Sequence, residues 1–226
     1  MYVGHFACGV ALWAVRPRTP PWVPLVGIGV LDILNGIGVA AGLERISPAP
    51  DEPLGLALDY IDWDHSLLMA LVWSLAFAVA VGWKNGRGAA VIGGLAVFSH
   101  FVGDVLVHNG DLALWPGSEV HLGLWLWHLF PVGSWFIEGA FAAVLIAFAI
   151  AVRKRDGVPL GAWTRALVIL GVVHLSFAPG IGPLKFAGAH LNGAALAWTY
   201  AVLVIVGVLV PGWLLARVLP GGRPRI

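Results

Sequence analysis

The chain has 226 residues, of which 59% are hydrophobic and only 11% are charged, and its formal net charge is +1. Soluble domains carry about 25% charged residues, so this composition excludes an ordinary soluble domain and predicts an integral membrane protein. The small net charge excludes nucleic acid as a partner, because phosphate backbones bind concentrated basic surfaces. The single cysteine, Cys8, excludes an internal disulfide and a cysteine-based zinc site.

Hydropathy and helix-breaking residues predict an all-α fold, a polytopic membrane helical bundle with about seven transmembrane segments. The first segment is shorter than the about 20 residues that cross a bilayer, so six spans plus a short N-terminal helix is the alternative. We expect one membrane domain over residues 1–226, with a metal site within 1–132 and additional membrane helices within 133–226. The predicted segments are 2–15, 22–43, 64–83, 89–108, 133–152, 164–179 and 194–218.

Basic residues separate the loops between these segments into two sets. By the positive-inside rule, the basic set predicts the cytoplasmic side of a bacterial inner or plasma membrane, with the N-terminus outside and the C-terminus in the cytoplasm. The opposite set contains only Arg45 and Lys185. The basic set contains Arg16, Arg18, Lys84, Arg87, Arg153, Lys154, Arg155, Arg165, Arg217, Arg223 and Arg225.

Polar side chains interrupt the first three segments. His5 begins the first segment, and Asp32 lies inside the second among several glycines. The third begins with Asp64 and His65, of which Asp64 also suits a helix N-cap. Because a carboxylate in hydrocarbon needs a partner, we expect Asp32 to bind a cation or to hold one of its ligands. His65 is expected to meet the same cation.

The fourth segment contains His100, Asp104 and His108 at positions i, i+4 and i+8. On a helix this spacing stacks the side chains on one face about 5 to 6 Å apart, a separation that a shared cation can bridge. Each ionisable group in hydrocarbon costs at least a few kcal/mol, which favours a functional role. A hydrogen-bonded cluster that packs helices is the alternative.

All eight histidines fall toward the predicted outer side, which favours a polar site there. Neutral imidazoles with carboxylates suit Zn²⁺ best, with Mn²⁺ or Fe²⁺ as alternatives, and two or three metals sharing Asp104 are compatible with the donor count. The predicted metal ligands are His5, Asp32, His65, His100 and Asp104. The candidates for a catalytic base or an extra ligand are Asp64, His108 and Glu138, and Glu138 also suits a helix N-terminus.

Four short motifs resemble those of one known family. Gly4-His5 is similar to its N-terminal Gly/Thr-His, Leu31-Asp32-Ile33 to its Pro-Asp-x-Asp-His element, and His65-Ser66 to the end of its His-Arg-Gly-x-Thr-His-Ser motif. Ser99-His100 through Asp104 to Gly110, followed by Trp115-Pro116, is similar to its Ser-His-x-x-x-Asp-x-x-x-x-x-Gly run and the Trp-Pro after it. The chain therefore resembles the bacterial membrane-bound metal-dependent hydrolases, which include LexA-regulated inner-membrane members.

The chain also departs from that pattern. Leu34 and Asn35 stand where the family has Asp and His, and Tyr60, Ile61, Asp62 and Asp64 stand where it has His, Arg, Gly and Thr, which implies a remodelled site. The run from His100 to Asp104 further resembles the His-x-x-Gly-Asp element of zinc-dependent phospholipase C and S1/P1-type nucleases, whose His and Asp bind zinc.

Together these observations predict a membrane-embedded, zinc-dependent hydrolase. The expected substrate is a lipid or another phosphoester at the outer membrane–water interface, and the expected partner is membrane lipid. A non-catalytic metal-binding scaffold or a transporter component is the alternative. A catalytic zinc keeps one coordination position open, whereas a structural zinc does not.

Overall fold

The computed structural model describes residues 1–220, which form a predominantly helical bundle. A short 3-10 helix, Leu160–Trp163, precedes α8. The helices are α1 (Val3–Val15), α2 (Trp22–Gly27), α3 (Val30–Ala40), α4 (Asp62–His65), α5 (Leu67–Val107), α6 (Leu126–Leu129), α7 (Pro131–Arg155), α8 (Thr164–Leu175), α9 (Pro183–His190) and α10 (Gly193–Val218).

Four helical stretches are long and apolar enough to cross a membrane, so the expectation of seven is wrong. These stretches are Trp22–Ala40, which joins α2 and α3, and the helices Leu67–Val107, Pro131–Arg155 and Gly193–Val218. Helices α1 and α8 have only 13 and 12 residues, which is too short for a span of about 20 residues. The predicted segments 64–83 and 89–108 are joined in the single helical element α5.

Helix α5 turns back on itself at Gly86. This residue has a φ of 80°, a left-handed conformation that glycine adopts without the steric cost of a side chain. After the turn the two halves pack together, since a Cβ on Gly82 would lie 3.0 Å from the Ala90 Cβ and one on Gly94 would lie 3.2 Å from the Ala78 Cβ. Small residues of this kind let two helices approach closely in a membrane protein.

Helix α1 lies at the centre of the bundle rather than facing lipid. Phe6, Ala7, Val10 and Trp13 are at most 1% exposed, and the helix packs mainly against α7 and also against α5. A helix that is apolar on every face is expected to be buried in this way. Because α10 packs on α3, the helices after residue 132 share their core with those before it.

A break between α2 and α3 at Ile28 and Gly29 brings the backbone close to α10. A Cβ on Gly29 would lie only 2.0 Å from Val208 Cγ1, so any larger residue would push α10 away. The same break places the Ile28 carbonyl beside His100 of α5. The glycine therefore helps to set the distance between the helices that carry the polar side chains.

Two short antiparallel hairpins are the exceptions to the predicted all-α class. Strand β1 (Arg45–Pro48) pairs with β2 (Leu56–Tyr60), and β3 (Leu112–Ala113) pairs with β4 (His121–Leu122). Both hairpins belong to loops that hydropathy placed on the predicted outer side. They lie over the end of the bundle at which α3 ends and α4 begins.

The basic residues gather at the other end. The Arg16 guanidinium lies against Gly88, which follows the turn of α5, and the Arg153 guanidinium lies 5.3 Å from the centre of the Trp13 ring. Residues 87–107 of α5 lead from this end toward the hairpins, over about 30 Å at 1.5 Å per residue. Arg223 and Arg225 lie outside the described residues.

Candidate metal centre

Six polar side chains converge where the hairpins cover the bundle. All are buried except Asp32, whose side chain is 25% exposed. Four separate elements supply them, so the cluster depends on the packing of α1, α3 and α4 against the second half of α5. The six are His5 of α1, Asp32 of α3, His65 of α4, His100 and Asp104 of α5, and His108 at the C-terminal cap of α5.

Asp32, His65 and His100 form the first group that could hold a metal ion. His65 Nε2 lies 3.3 Å from His100 Nε2, and Asp32 Oδ1 lies 3.8 Å from the first nitrogen and 3.6 Å from the second. A triangle with these sides has its corners about 2.1 Å from a common point, and zinc bonds to nitrogen and oxygen are 2.0 to 2.2 Å long. The three atoms therefore fit a single metal ion without rearrangement.

Asp104 supplies a further donor to this group. Its Oδ2 atom lies 2.9 Å from His100 Nε2 and 3.6 Å from His65 Nε2. Two imidazoles and two carboxylates would then be the protein groups available to such an ion, and a site that uses three of them keeps one position for water or substrate. This donor set suits Zn²⁺, and it also suits Mn²⁺ or Fe²⁺.

The other oxygen of Asp104 faces a second group. Asp104 Oδ1 lies 3.1 Å from His5 Nε2, 3.6 Å from His108 Nε2 and 2.6 Å from the Met1 amino group. His5, His100 and Asp104 also satisfy the geometry of a metal-binding group. The Asp104 carboxylate thus lies between the first group and a second set of nitrogen atoms, which includes the Met1 amino group.

Three of the histidines are held in the orientation that metal ligands adopt. Each directs Nε2 into the cluster and uses Nδ1 for a hydrogen bond outside it, which fixes the ring and its tautomer. The His100 contact is 2.5 Å and the His108 contact is 2.8 Å. The Nδ1 atoms of His65, His100 and His108 contact the Asp64 carboxylate, the Ile28 carbonyl and the Asp111 carboxylate, respectively.

A buried network supports the orientation of His65. Tyr200 donates a 2.5 Å hydrogen bond to Asn35 Oδ1, and the Asn35 amide donates to Glu44 Oε2 at 2.6 Å and to Asp64 Oδ1 at 3.4 Å. Asp64 in turn contacts His65 Nδ1. The network therefore links α10, α3 and the β1 region to one histidine.

Burial and neighbouring charges shift the pKa values of Glu44, Asp64 and His65. Burial raises the pKa of Glu44 to about 9, and the nearby Asp64 carboxyl adds to the rise. Burial also raises the pKa of Asp64 to about 8. Burial lowers the pKa of His65, which favours the neutral imidazole that metals require.

The three predicted catalytic candidates have different surroundings. His108 is a member of the cluster, and Asp64 contacts the cluster through His65 Nδ1. Asp64 does not cap the long helix, because Ser66 caps α5 and accepts from the Met69 amide at 3.4 Å. Glu138 is buried on α7, where Oε1 accepts from the backbone amides of Tyr2 and, at 3.0 Å, of Gly4. Glu138 thus fixes the N-terminus of α1, the helix that carries His5.

Four residues of the surrounding network were not predicted to be functional. Asn35 stands where the family motif has a histidine, and its departure from the motif was the only signal. Asp111 follows His108 by three residues, but both lie beyond the end of α5 at Val107, so no helical spacing marked their contact. No local pattern marks Glu44 or Tyr200, because their contact with Asn35 depends on the packing of α3 against β1 and α10.

The remaining four histidines lie outside the cluster. His121 and His190 are exposed and contact nearby backbone carbonyls. His128 lies on the surface near Glu52, and His174 stacks on the Trp135 ring at 4.1 Å. All eight histidines were predicted to lie toward the outer side, so this prediction did not distinguish the four in the cluster from the other four.

A cavity of about 300 Å³ opens from the cluster between α3, α7 and α10. Asp32, His65, Asp104 and His108 line one end of it. Most of the other lining side chains are apolar, and among residues 1–220 it is lined by no Lys or Arg. The apolar walls include Leu58, Phe177, Leu184, Leu203, Val204 and Val208.

Comparisons with protein-family models, with curated proteins and with solved structures found no match to this chain.

Proposed function

We propose that this protein is a metal-dependent hydrolase that cleaves a phosphodiester of a membrane lipid. The observation that carries the proposal is that a buried His/Asp cluster lines one end of a largely apolar cavity. The walls of this cavity include side chains of α10. A purely structural metal site would be closed on all sides by protein ligands. Here Asp32 is both a donor and 25% exposed, so an ion held by it faces the cavity.

The chemistry follows from the donor set. A bound zinc ion lowers the pKa of its water to about 7 and polarises a phosphoryl oxygen. No Lys or Arg of residues 1–220 lines the cavity, so a phosphate there would be neutralised by the metal and by the nearby Met1 amino group. The attacking water would form a bond to phosphorus, the bond from phosphorus to the leaving alcohol oxygen would break, and the proton released by the water would end on that alcohol.

His108 and Asp111 are suited to handle that proton. His108 lines the cavity, and its Nδ1 is held by Asp111 at 2.8 Å, so that Nε2 points toward the cluster. An imidazole held by a carboxylate in this way is a common general base, provided that it does not bind a second metal itself. Burial acts to raise the pKa of Asp111, but His108, a backbone hydrogen bond and His65 together lower it on balance, so the carboxylate stays charged.

The cavity walls support a lipid rather than a soluble substrate. Leu203, Val204 and Val208 belong to α10, one of the four helices that are long enough to cross a membrane. An acyl chain on these walls would remain in apolar surroundings while its phosphodiester lay at the donors. We further propose the bacterial inner or plasma membrane as the location, with the cluster on the outer side and the basic end in the cytoplasm.

The direct test uses protein purified in a maltoside detergent and loaded with zinc. We expect it to hydrolyse bis(p-nitrophenyl) phosphate and a short-chain phospholipid, and Asp104→Asn to reduce both rates by at least about 100-fold. His190→Ala, which alters an exposed histidine outside the cluster, is the matched control. Full activity of Asp104→Asn, or no activity of zinc-loaded wild type on either substrate, would overturn the proposal.

Chelation separates this proposal from the scaffold alternative. Removal of a catalytic metal should abolish hydrolysis, and added zinc should restore it, whereas a structural metal should contribute to the melting temperature without any hydrolysis to lose. A large decrease in melting temperature in a protein without hydrolase activity would favour the metal-binding scaffold.

A further inference from the structure

A second cavity, of about 220 Å³, adjoins the first on its outer side. The two cavities share part of their walls, including Pro53, Leu54 and Trp127. Two acids, one amide and two indole rings give the second cavity its chemical character: Glu52, Asp111, Asn109, Trp125 and Trp127. A ligand could therefore extend from the metal donors into this aromatic and acidic compartment.

The two tryptophans are held in place by the same helix end that carries the donors. Trp125 has a φ of 59°, which is unusual for a residue other than glycine, and its backbone amide donates a 2.9 Å hydrogen bond to the His108 carbonyl. The Trp127 ring lies 4.5 Å from the His108 ring. Sparsely populated backbone conformations persist where the surrounding contacts maintain them, and they concentrate at functional sites.

The compartment carries negative charge. Glu52 Oε2 accepts from the Asn109 amide at 2.9 Å, its Oε1 lies 3.4 Å from His128 Nδ1, and Asp111 Oδ1 accepts from His108. The nearest lysine, Lys185, donates to the backbone carbonyls of Pro50 and Glu52. Among residues 1–220, no Lys or Arg side chain lines the compartment.

We propose that this compartment binds the ammonium group of a zwitterionic phospholipid, such as one with an ethanolamine or a choline headgroup. Indole faces attract ammonium ions through their electron density, and aromatic walls with nearby carboxylates bind quaternary ammonium ligands. The inference rests on the proposed function, because the phosphodiester would lie at the donors, the acyl chains in the first cavity and the headgroup in the second. An uncharged headgroup such as glycerol would bring no cation to Glu52 and Asp111.

The test compares the hydrolysis of lipids that differ only in headgroup. In mixed micelles, we expect wild type to cleave short-chain phosphatidylethanolamine or phosphatidylcholine faster than phosphatidylglycerol with the same chains. Glu52→Gln keeps an oxygen for Asn109 but removes the charge, and Trp125→Leu removes one aromatic wall. Each should reduce the ratio of the two rates by about tenfold. Glu119→Gln and Trp115→Leu, which alter an exposed acid and an exposed tryptophan outside the compartment, should leave the ratio unchanged.

A ratio that is near one in wild type, or that persists in Glu52→Gln and Trp125→Leu, would overturn the inference while leaving the proposed hydrolase intact. If wild type hydrolyses no lipid, the proposed function fails, and binding decides the inference separately. Calorimetric titration of wild type with glycerophosphocholine should then give a binding heat that is absent in Glu52→Gln. Glycerophosphoglycerol, as the reference compound, should give no binding heat. Equal binding of the two compounds, or binding of neither, would overturn it.

Discussion

His65 Nε2 and His100 Nε2 face each other across 3.3 Å at the end of the bundle that the hairpins cover. The Nδ1 atom of His100 donates to a carbonyl, which can only accept, and that of His65 contacts a carboxylate. The His100 ring therefore directs the Nε2 lone pair toward the point to which Asp32 and Asp104 also bring oxygen atoms. Four electron-rich atoms at such distances are stabilised by a shared positive charge, which a bound metal ion could supply.

The hydroxyl group of Tyr200 should influence metal affinity from outside the cluster. Tyr200→Phe removes the hydrogen bond to Asn35 Oδ1 and loosens the contacts that hold Asp64 and His65. Changes to such supporting groups typically cost 10 to 100-fold in metal affinity or activity, and we expect a loss of about tenfold for zinc. Competition with a fluorescent chelator measures it. Tyr60→Phe, at a partly exposed tyrosine in β2, is the control, and equal affinities for both variants would contradict this role.

Glu138 should act through α1 rather than as a base. Glu138→Gln retains an oxygen that accepts from the Tyr2 and Gly4 amides, so its melting temperature should match that of wild type. Glu138→Ala leaves buried amides without a partner, at a cost of about 1 to 3 kcal/mol each. Thermal unfolding in detergent compares the two variants. Loss of hydrolysis in a well-folded Glu138→Gln would instead assign the carboxylate to the chemistry.

Gly29 should be intolerant of a side chain. The added Cβ of Gly29→Ala would lie 2.0 Å from Val208 Cγ1, and the resulting overpacking between the α2–α3 break and α10 should destabilise the fold by about 1 to 3 kcal/mol. Gly171→Ala in α8 is the matched control, because no heavy atom lies within 4 Å of its added Cβ. Unfolding midpoints that are equally low for both variants would contradict the close approach.

Membrane topology can be tested with reporter fusions. A cytoplasmic reporter fused at Lys154, at the basic end, should be active, and one fused near Gly117, in the loop between β3 and β4, should be inactive. A reporter for the outer compartment should give the opposite pattern. Activity of the cytoplasmic reporter at Gly117 would reverse the proposed orientation.

The sequence was most informative where polar residues interrupt apolar segments. Asp32, His100 and Asp104 stand out because ionisable groups rarely occur in membrane helices without a partner, and the structure brings them together with His5 and His65. The helical repeat also accounts for the position of Asp104 between His100 and His108. These inferences need only local spacing and the cost of burying charge.

Hydropathy was least informative about which apolar segments cross the membrane. Helix α1 is as apolar as a span, but it is short and buried, and hydropathy does not distinguish protein from lipid as its surroundings. By contrast, the predicted segments 64–83 and 89–108 correspond to the two halves of α5 on either side of the turn at Gly86. The roles of Glu44 and Tyr200 depend on contacts between residues far apart in the chain, for which a single sequence carries no local signal.

Metal analysis of the purified protein tests the central claim most directly. Wild type, solubilised in maltoside without chelator and analysed by inductively coupled plasma mass spectrometry, should contain about one or more equivalents of a divalent transition metal per chain. His100→Ala should retain less than about a tenth of it, and His190→Ala should retain all of it. A folded wild-type protein that contains no metal and binds no added zinc at micromolar concentration would contradict the account.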